Sequence, residues 1–181
     1  MQTPDAIMDF WFVAHGQDDW FSGDAAFDAR IAERFALTHR QVAAGEAWTW
    51  RVTPQGRLAE IIVLDQFSRQ LYRGSATAFA RDCMALALAQ EAIAAKADAD
   101  LSSDQRMFLY MPFMHSESLV IQDEGVRLFA ANGDDKALDF MFKHRDCVAR
   151  FGRFPKRNAA LGRTSTPEEQ AYIEDIGDRM F

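Results

Sequence analysis

The stretch Leu58–Ser75, LAEIIVLDQFSRQLYRGS, constrains this chain more than any other. Leu58, Ile61 and Ile62 share one stripe at helical spacing, so the segment is predicted to open as an amphipathic helix, over Arg57 to Arg69. The next positions on that stripe are Asp65, Arg69 and Tyr72. A carboxylate and a guanidinium thus stand where the pattern asks for aliphatic side chains. Burying either charge alone is costly, and at a separation of four residues the two can neutralise each other. Two readings are open: a structural ion pair that pins one helix, or the floor of a polar site whose walls come from elsewhere in the chain.

The remaining segments read as helices too. Thr3-Pro4-Asp5 starts one that ends near His15-Gly16. Gln17 to Gly23 reads as a loop anchored by Trp20 and Phe21, and Asp24 starts a helix with Phe27, Ile31, Phe35 and Val42 inward, closed by Gly45. Trp48 and Trp50 read as packing residues beside a polar connection. A long alanine-rich helix is predicted over Thr77–Ala95, and Ser103 or Asp104 is expected to cap the next. Pro112 should break that helix, with a new one over Phe113–Ala131. Asp134 or Asp135 starts a helix that Gly152 and Pro155 end, and Ser165-Thr166-Pro167 starts the last. No segment alternates with a period of two between turn residues. The expectation is an all-α single domain over 1–181, with about seven or eight helices stacked as antiparallel hairpins. Leu88–Gln105, and Val126–Leu138 together with the helix beyond it, have a helix–turn–helix spacing close to tetratricopeptide hairpins, although the signature Trp, Gly and Pro positions of that repeat are not all filled.

Composition excludes some partners. A net charge of −7 speaks against nucleic acid, whose binders usually carry a basic face. No apolar run approaches the ~20 residues that span a bilayer, and Met1–Ala6 lacks a basic leader segment, so no membrane association is expected. Cys83 and Cys147 have apolar neighbours and no metal-ligand spacing, which predicts buried free thiols in a reducing cytoplasm. No cofactor fingerprint occurs, and the oligomeric state is not legible.

Two further stretches carry chemistry. In Pro112–Glu117, the apolar positions Phe113, Met114, Val120 and Ile121 surround Glu117 at helical spacing, so Glu117 is expected within an apolar face, with His115 at the break. The alternative is a buried glutamate paired with an arginine, and a histidine bonded to a carbonyl. His115 and Glu117, two apart, project about 200° apart on a helix, so no metal site is assigned, even with Asp65 or His144 added. The segment Arg150–Arg163, RFGRFPKRNAALGR, holds five cations, and no acidic residue lies between Asp146 and Glu168. Phe151, Phe154 and Leu161 imply that this loop packs down. Its cations either neutralise Asp65 and Glu117 or hold an anion.

The segments LDQFSRQLYRGS, AFARD, FLYMPFMHSE, RFGRFPKRNAALGR and STPEE, with DFWF near the start, resemble the signature blocks of an uncharacterised bacterial family, domain of unknown function 924. The resemblance covers nearly the whole chain and implies a soluble, tetratricopeptide-like helical protein with no established activity. The family pattern often has Pro, Asn and His where Ser68, Gln70 and Lys156 stand here. A mechanism that needs an imidazole in the basic loop is therefore disfavoured, whereas anion binding survives with lysine.

Two functional classes result. One is a scaffold that binds an anionic small molecule or peptide through Arg69, Arg73, Arg153, Lys156, Arg157 and Asn158. The other is a hydrolase or other acid–base enzyme that uses His115 with Asp65 or Glu117. In the sharpest form of the first reading, Asp65, Arg69, Arg73, His115, Glu117, Arg153 and Arg157 converge on one pocket.

Overall fold

The computed structural model describes residues 1–177, and the chain is all-α, with no strand among the described residues. Two compact units follow one another, Met1–Leu109 and Tyr110–Phe181, and the division falls inside a single helix.

In the first unit, Thr3 Oγ1 accepts from Ala6 N and starts α1, Pro4–Met8, which widens into a π-helical turn over Asp9–Val13. The short α2, Gln17–Trp20, occupies part of the predicted loop. Asp24 caps α3, Ala25–Ala43, which buries Phe27, Ile31, Phe35 and Val42 as its spacing requires, and Gly45 turns the chain away at φ +83°. After a 3-10 turn, Trp48–Val52, Thr53 caps α4, Pro54–Ile62. A second π-helical turn, Val63–Phe67, leads into α5, Ser68–Leu71. The predicted alanine-rich helix is divided into a 3-10 turn, Ala76–Phe79, and α6, Asp82–Ala94. The first half of α7, Ser103–Met114, completes the unit; its start is held by a reciprocal pair in which Gln105 N donates to Ser102 Oγ and Ser102 N donates to Gln105 Oε1, so the cap is Ser102 and not Ser103 or Asp104.

The core of this unit is aromatic. The two π-helical turns meet through their rings, Trp11 against Phe67 at 5.6 Å and Phe10 against Phe67 at 6.3 Å, with Phe35 at 5.2 Å from Phe67. Phe108 of α7 enters the same cluster, edge-on to Trp20 at 4.7 Å. The organising helix is not amphipathic: every residue from Leu58 to Ser68 is buried. A helix at the centre of its unit has no solvent face, so a stripe drawn on it carries no information about which side is wet.

In the second unit, α8, Leu119–Asn132, and α9, Asp135–Phe151, are joined at Gly133 and packed on one another. Gly125 of α8 lies where an added Cβ would stand 2.9 Å from Met141 Cε. Gly152, at φ +69°, ends α9. A 3-10 turn, Pro155–Arg157, then leads towards α10, Pro167–Ile176, which Thr166 and Glu169 start with a full capping box. Cys147, Val148 and Phe154 form a small core here, with Phe151 and Tyr172 packed against it.

Several expectations are corrected. Pro112 does not break its helix: α7 runs on to Met114, and the interruption falls at His115–Ser118. Proline forfeits one intrahelical N–H bond, which a helix embedded in a core can tolerate. Glu117 therefore stands in an interhelical bend and not within an apolar helix face, and Val120 is 78% exposed. Trp50 packs inside, but Trp48 is 67% exposed, and Phe21 is partly exposed as well. Both cysteines are free; Cys147 is buried, whereas Cys83 is exposed, because the small alanines of α6 carry the contact face.

Candidate functional site

Within the first unit, the π-helical turn at Val63–Phe67 aims Asp65 inward at 1% exposure. Its Oδ1 lies 3.1 Å from Arg69 Nη1, and its Oδ2 accepts from Gln66 Nε2 at 2.6 Å. Arg69 is shared: Nη1 also donates to the Asp65 carbonyl at 2.7 Å, and Nη2 donates to Asp82 Oδ2 at 3.1 Å. Burial alone would pull the guanidinium pKa down, but Asp65 and Asp82 more than offset that and keep it charged. Arg73 turns to a different partner, giving Asp28 of α3 a two-pronged contact at 2.8 Å for each bond.

Two buried groups in this unit were missed by sequence reasoning. Glu60 of α4 is fully buried and accepts two 2.7 Å bonds from Arg51. Its only signal was a glutamate between aliphatic neighbours. His39 of α3 is buried with Nε2 at 2.8 Å from Ser68 Oγ, while that hydroxyl donates to the Leu64 carbonyl at 2.6 Å. The imidazole is therefore the donor to Ser68, and the serine proton is committed to the backbone. This is a packed Ser–His contact and not an activated nucleophile.

In the second unit, Glu117 is the hub. Its Oε1 accepts from Phe154 N at 2.8 Å and from Arg163 Nη2 at 2.9 Å, and its Oε2 accepts from Arg163 Nη1 at 2.7 Å. Burial opposes the charged carboxylate, but Arg163 and the Phe154 N–H outweigh it and hold the pKa below the usual range. Arg153 forms the equivalent clamp on Glu169, at 2.6 and 2.8 Å. Glu169 also accepts from Thr166 N at 2.8 Å and from Asn158 Nδ2 at 3.3 Å. Arg153, then Thr166 N–H, hold Glu169 down at about 2. Asn158 is buried and donates to Ser165 Oγ as well. Lys156 Nζ donates to the Gly177 carbonyl at 2.9 Å, and the Arg157 guanidinium rests 4.5 Å from the centre of the Phe154 ring.

His115 follows the end of α7, its ring 6.2 Å from that of His144. His144 donates from Nδ1 to the Phe140 carbonyl at 2.7 Å, which fixes the tautomer that leaves Nε2 as an acceptor. Burial pushes the Cys147 thiol up, so it is not a prepared nucleophile. Among the described residues, no group of three or more His, Cys, Asp or Glu is placed to hold a metal ion.

The structure thus joins Asp65 with Arg69 in one unit. In the other it gathers Glu117, Arg153, Lys156, Arg157 and Asn158 into one loop system whose pairing partners are Arg163 and Glu169. Arg163 was legible as one of the loop's cations, and Glu169 only as a first-turn glutamate.

The sequence matches the family described as Bacterial protein of unknown function (DUF924) over residues 7–177. The chain belongs to this family. A solved member, described as a protein of unknown function ATU0120 from Agrobacterium tumefaciens, is similar at 41% identity and a TM-score of 0.91, over 95% of this chain and 97% of that one. No curated protein matches the chain. The family therefore supports the fold of this DUF924 chain and brings no activity with it. No helix among its described residues is long and apolar enough to cross a membrane.

Proposed function

We propose that the protein is a binding scaffold whose basic loop, Arg153–Arg163, engages a small anionic molecule or a short acidic peptide. The observation that carries this reading is how firmly the loop that bears these cations is fixed. Arg153 and Arg163 grip Glu169 and Glu117 in two-pronged pairs that fix the loop. Lys156 and Arg157 sit between those two clamps on a single 3-10 turn, Lys156 exposed and Arg157 braced on Phe154. A preorganised pair of cations loses little side-chain freedom on meeting an anion. Acid–base catalysis through Glu117 is the weaker reading, because both carboxylate oxygens already accept hydrogen bonds. Two free cysteines, one of them exposed, agree with a reducing cytoplasm, and the α8–α9 hairpin agrees with a tetratricopeptide-like arrangement.

The test is calorimetric titration with citrate and with a hexaglutamate peptide at fixed ionic strength. Saturable binding should weaken about tenfold in a Lys156→Ala/Arg157→Ala variant, the scale of one lost charge-assisted contact. Absence of binding to both probes, or equal binding by the variant, would remove the proposal.

A further inference from the structure

An open cleft of about 470 Å³ lies in the first unit, lined by Phe10, Ala14, His15, Arg30, Glu33 and Arg34. Its geometry is set by the first π-helical turn. That turn ends at Ala14, whose N–H donates to the Asp9 carbonyl at 2.8 Å, so His15 emerges directly beside α3. The imidazole is held on three sides. Nδ1 donates to Asp19 Oδ2 at 2.9 Å, and the ring packs 4.4 Å from Phe10 and 4.9 Å from Phe27, centre to centre. A carboxylate on Nδ1 fixes the tautomer and leaves Nε2 as the nitrogen with no partner among the described residues.

One turn apart on α3, Arg30 and Arg34 supply the charge. Arg30 lies over Phe27 and only 3.8 Å from Asp19 Oδ1, a loose pair. Arg34 rests over Phe10 at 5.5 Å and Phe35 at 5.0 Å, and it has no ion pair or hydrogen bond with any described residue. A guanidinium that lies over rings with no carboxylate partner among the described residues, as Arg34 does, is braced but not neutralised, the state that suits it to a planar or tetrahedral anion. Glu33 also lines the cleft, with no ion-pair partner among the described residues. Its carboxylate would repel a second anionic group and accept from a hydroxyl or ammonium group.

We propose that this cleft is a second ligand site, which takes a small organic anion with a single carboxylate or phosphate group, held by Arg34 and Arg30 with the His15 ring beside it. No residue of the loop that carries Lys156 and Arg157 lines this site, so the two readings are tested separately.

The experiment tracks the His15 imidazole resonances by NMR while sodium phosphate, and separately sodium acetate, replaces chloride at constant ionic strength and pH. Saturable shifts confined to His15 and its neighbours are expected with at least one anion, and the preferred anion assigns the group as phosphate or carboxylate. Arg34→Gln should weaken that binding at least fivefold and Arg34→Lys less, with both variants melting near the wild type because Arg34 has only ring contacts to lose. The Lys156→Ala/Arg157→Ala variant should titrate like the wild type, so failure at one site is read separately from failure at the other. Linear, unsaturable shifts with both anions, or equal affinity in Arg34→Gln, would overturn the proposal.

Discussion

Gly56 sits in the first turn of α4 with ordinary helical dihedral angles, so its role is space and not backbone freedom. A Cβ there would stand 2.0 Å from the Trp50 carbonyl oxygen and 2.9 Å from Thr53 Oγ1, the cap that starts the helix. Backbone cannot yield as a side-chain tip can. Gly125 offers the contrast: its added Cβ would meet Met141 Cε at 2.9 Å and Phe113 Cβ at 3.3 Å, and the methionine end can rotate away. Gly56→Ala should therefore cost at least about 3 kcal/mol in urea unfolding, and Gly125→Ala only about 1 kcal/mol. Equal costs would mean that the approach of the Trp48–Val52 turn to α4 is looser than described. Neither position is legible in sequence, because a glycine in a helical pattern looks the same whether it relieves a close approach or is merely tolerated.

At the scale of elements, the bend at His115–Ser118 and the loop after α9 hold each other. Glu117 reaches the Phe154 N–H and grips Arg163, so a single carboxylate closes a segment that otherwise has only short 3-10 structure. Glu117→Gln should weaken that grip by about 2 kcal/mol, the scale of a hydrogen bond to a charged group. The visible consequence is proteolytic: under native conditions, trypsin should nick the variant after Lys156 or Arg157 faster than the wild type. Unchanged nicking would mean that the loop is held without Glu117. The sequence made part of this legible. The pairing of a polar residue near Pro112 with an arginine was readable from charge arithmetic alone, as was the four-residue relation of Asp65 to Arg69. The bend itself was not, because Phe113, Met114, Val120 and Ile121 satisfy helical spacing across it by coincidence. The two π-helical turns were also hidden, since a stripe counted at 3.6 residues per turn drifts where the backbone winds more widely. Glu60 and His39 lie outside those turns, in the regular helices α4 and α3, and went unread for want of a partner visible in the sequence.

Across the whole molecule, the charges set how stability depends on pH. His39 is buried, and its pKa is pushed down to about 4, by burial first and then by the charges of Arg81 and Arg40. An unfolded imidazole titrates near 6.5, so between about pH 6.5 and 4 the unfolded chain holds a proton that the folded one refuses. The stability linked to neutral His39 is therefore complete above about pH 6.5 and declines as the pH falls through that window; allowing for partial solvation, the loss at pH 5 is roughly 1–2 kcal/mol. The carboxylates act lower. Glu117 and Glu169 are both held below their ordinary values, Glu169 at about 2, so their contribution is present above the unfolded carboxylate range and disappears as the pH falls through the folded values. A chain with a pI near 5.1 also turns cationic in this second range, and the arginines that Glu117 and Glu169 neutralise are then left facing one another's field. Melting temperature should thus be flat from about pH 7 to 8, fall gently from about 6.5, and fall steeply below about 4.5. His39→Gln keeps a donor for Ser68 but cannot titrate, so it should lose the gentle upper slope and keep the steep lower one. Glu117→Gln should do the opposite, blunting the lower fall alone. If the slope between pH 6.5 and 4.5 persists in His39→Gln, the acid sensitivity belongs to another group, and the buried imidazole is not what couples this fold to the proton.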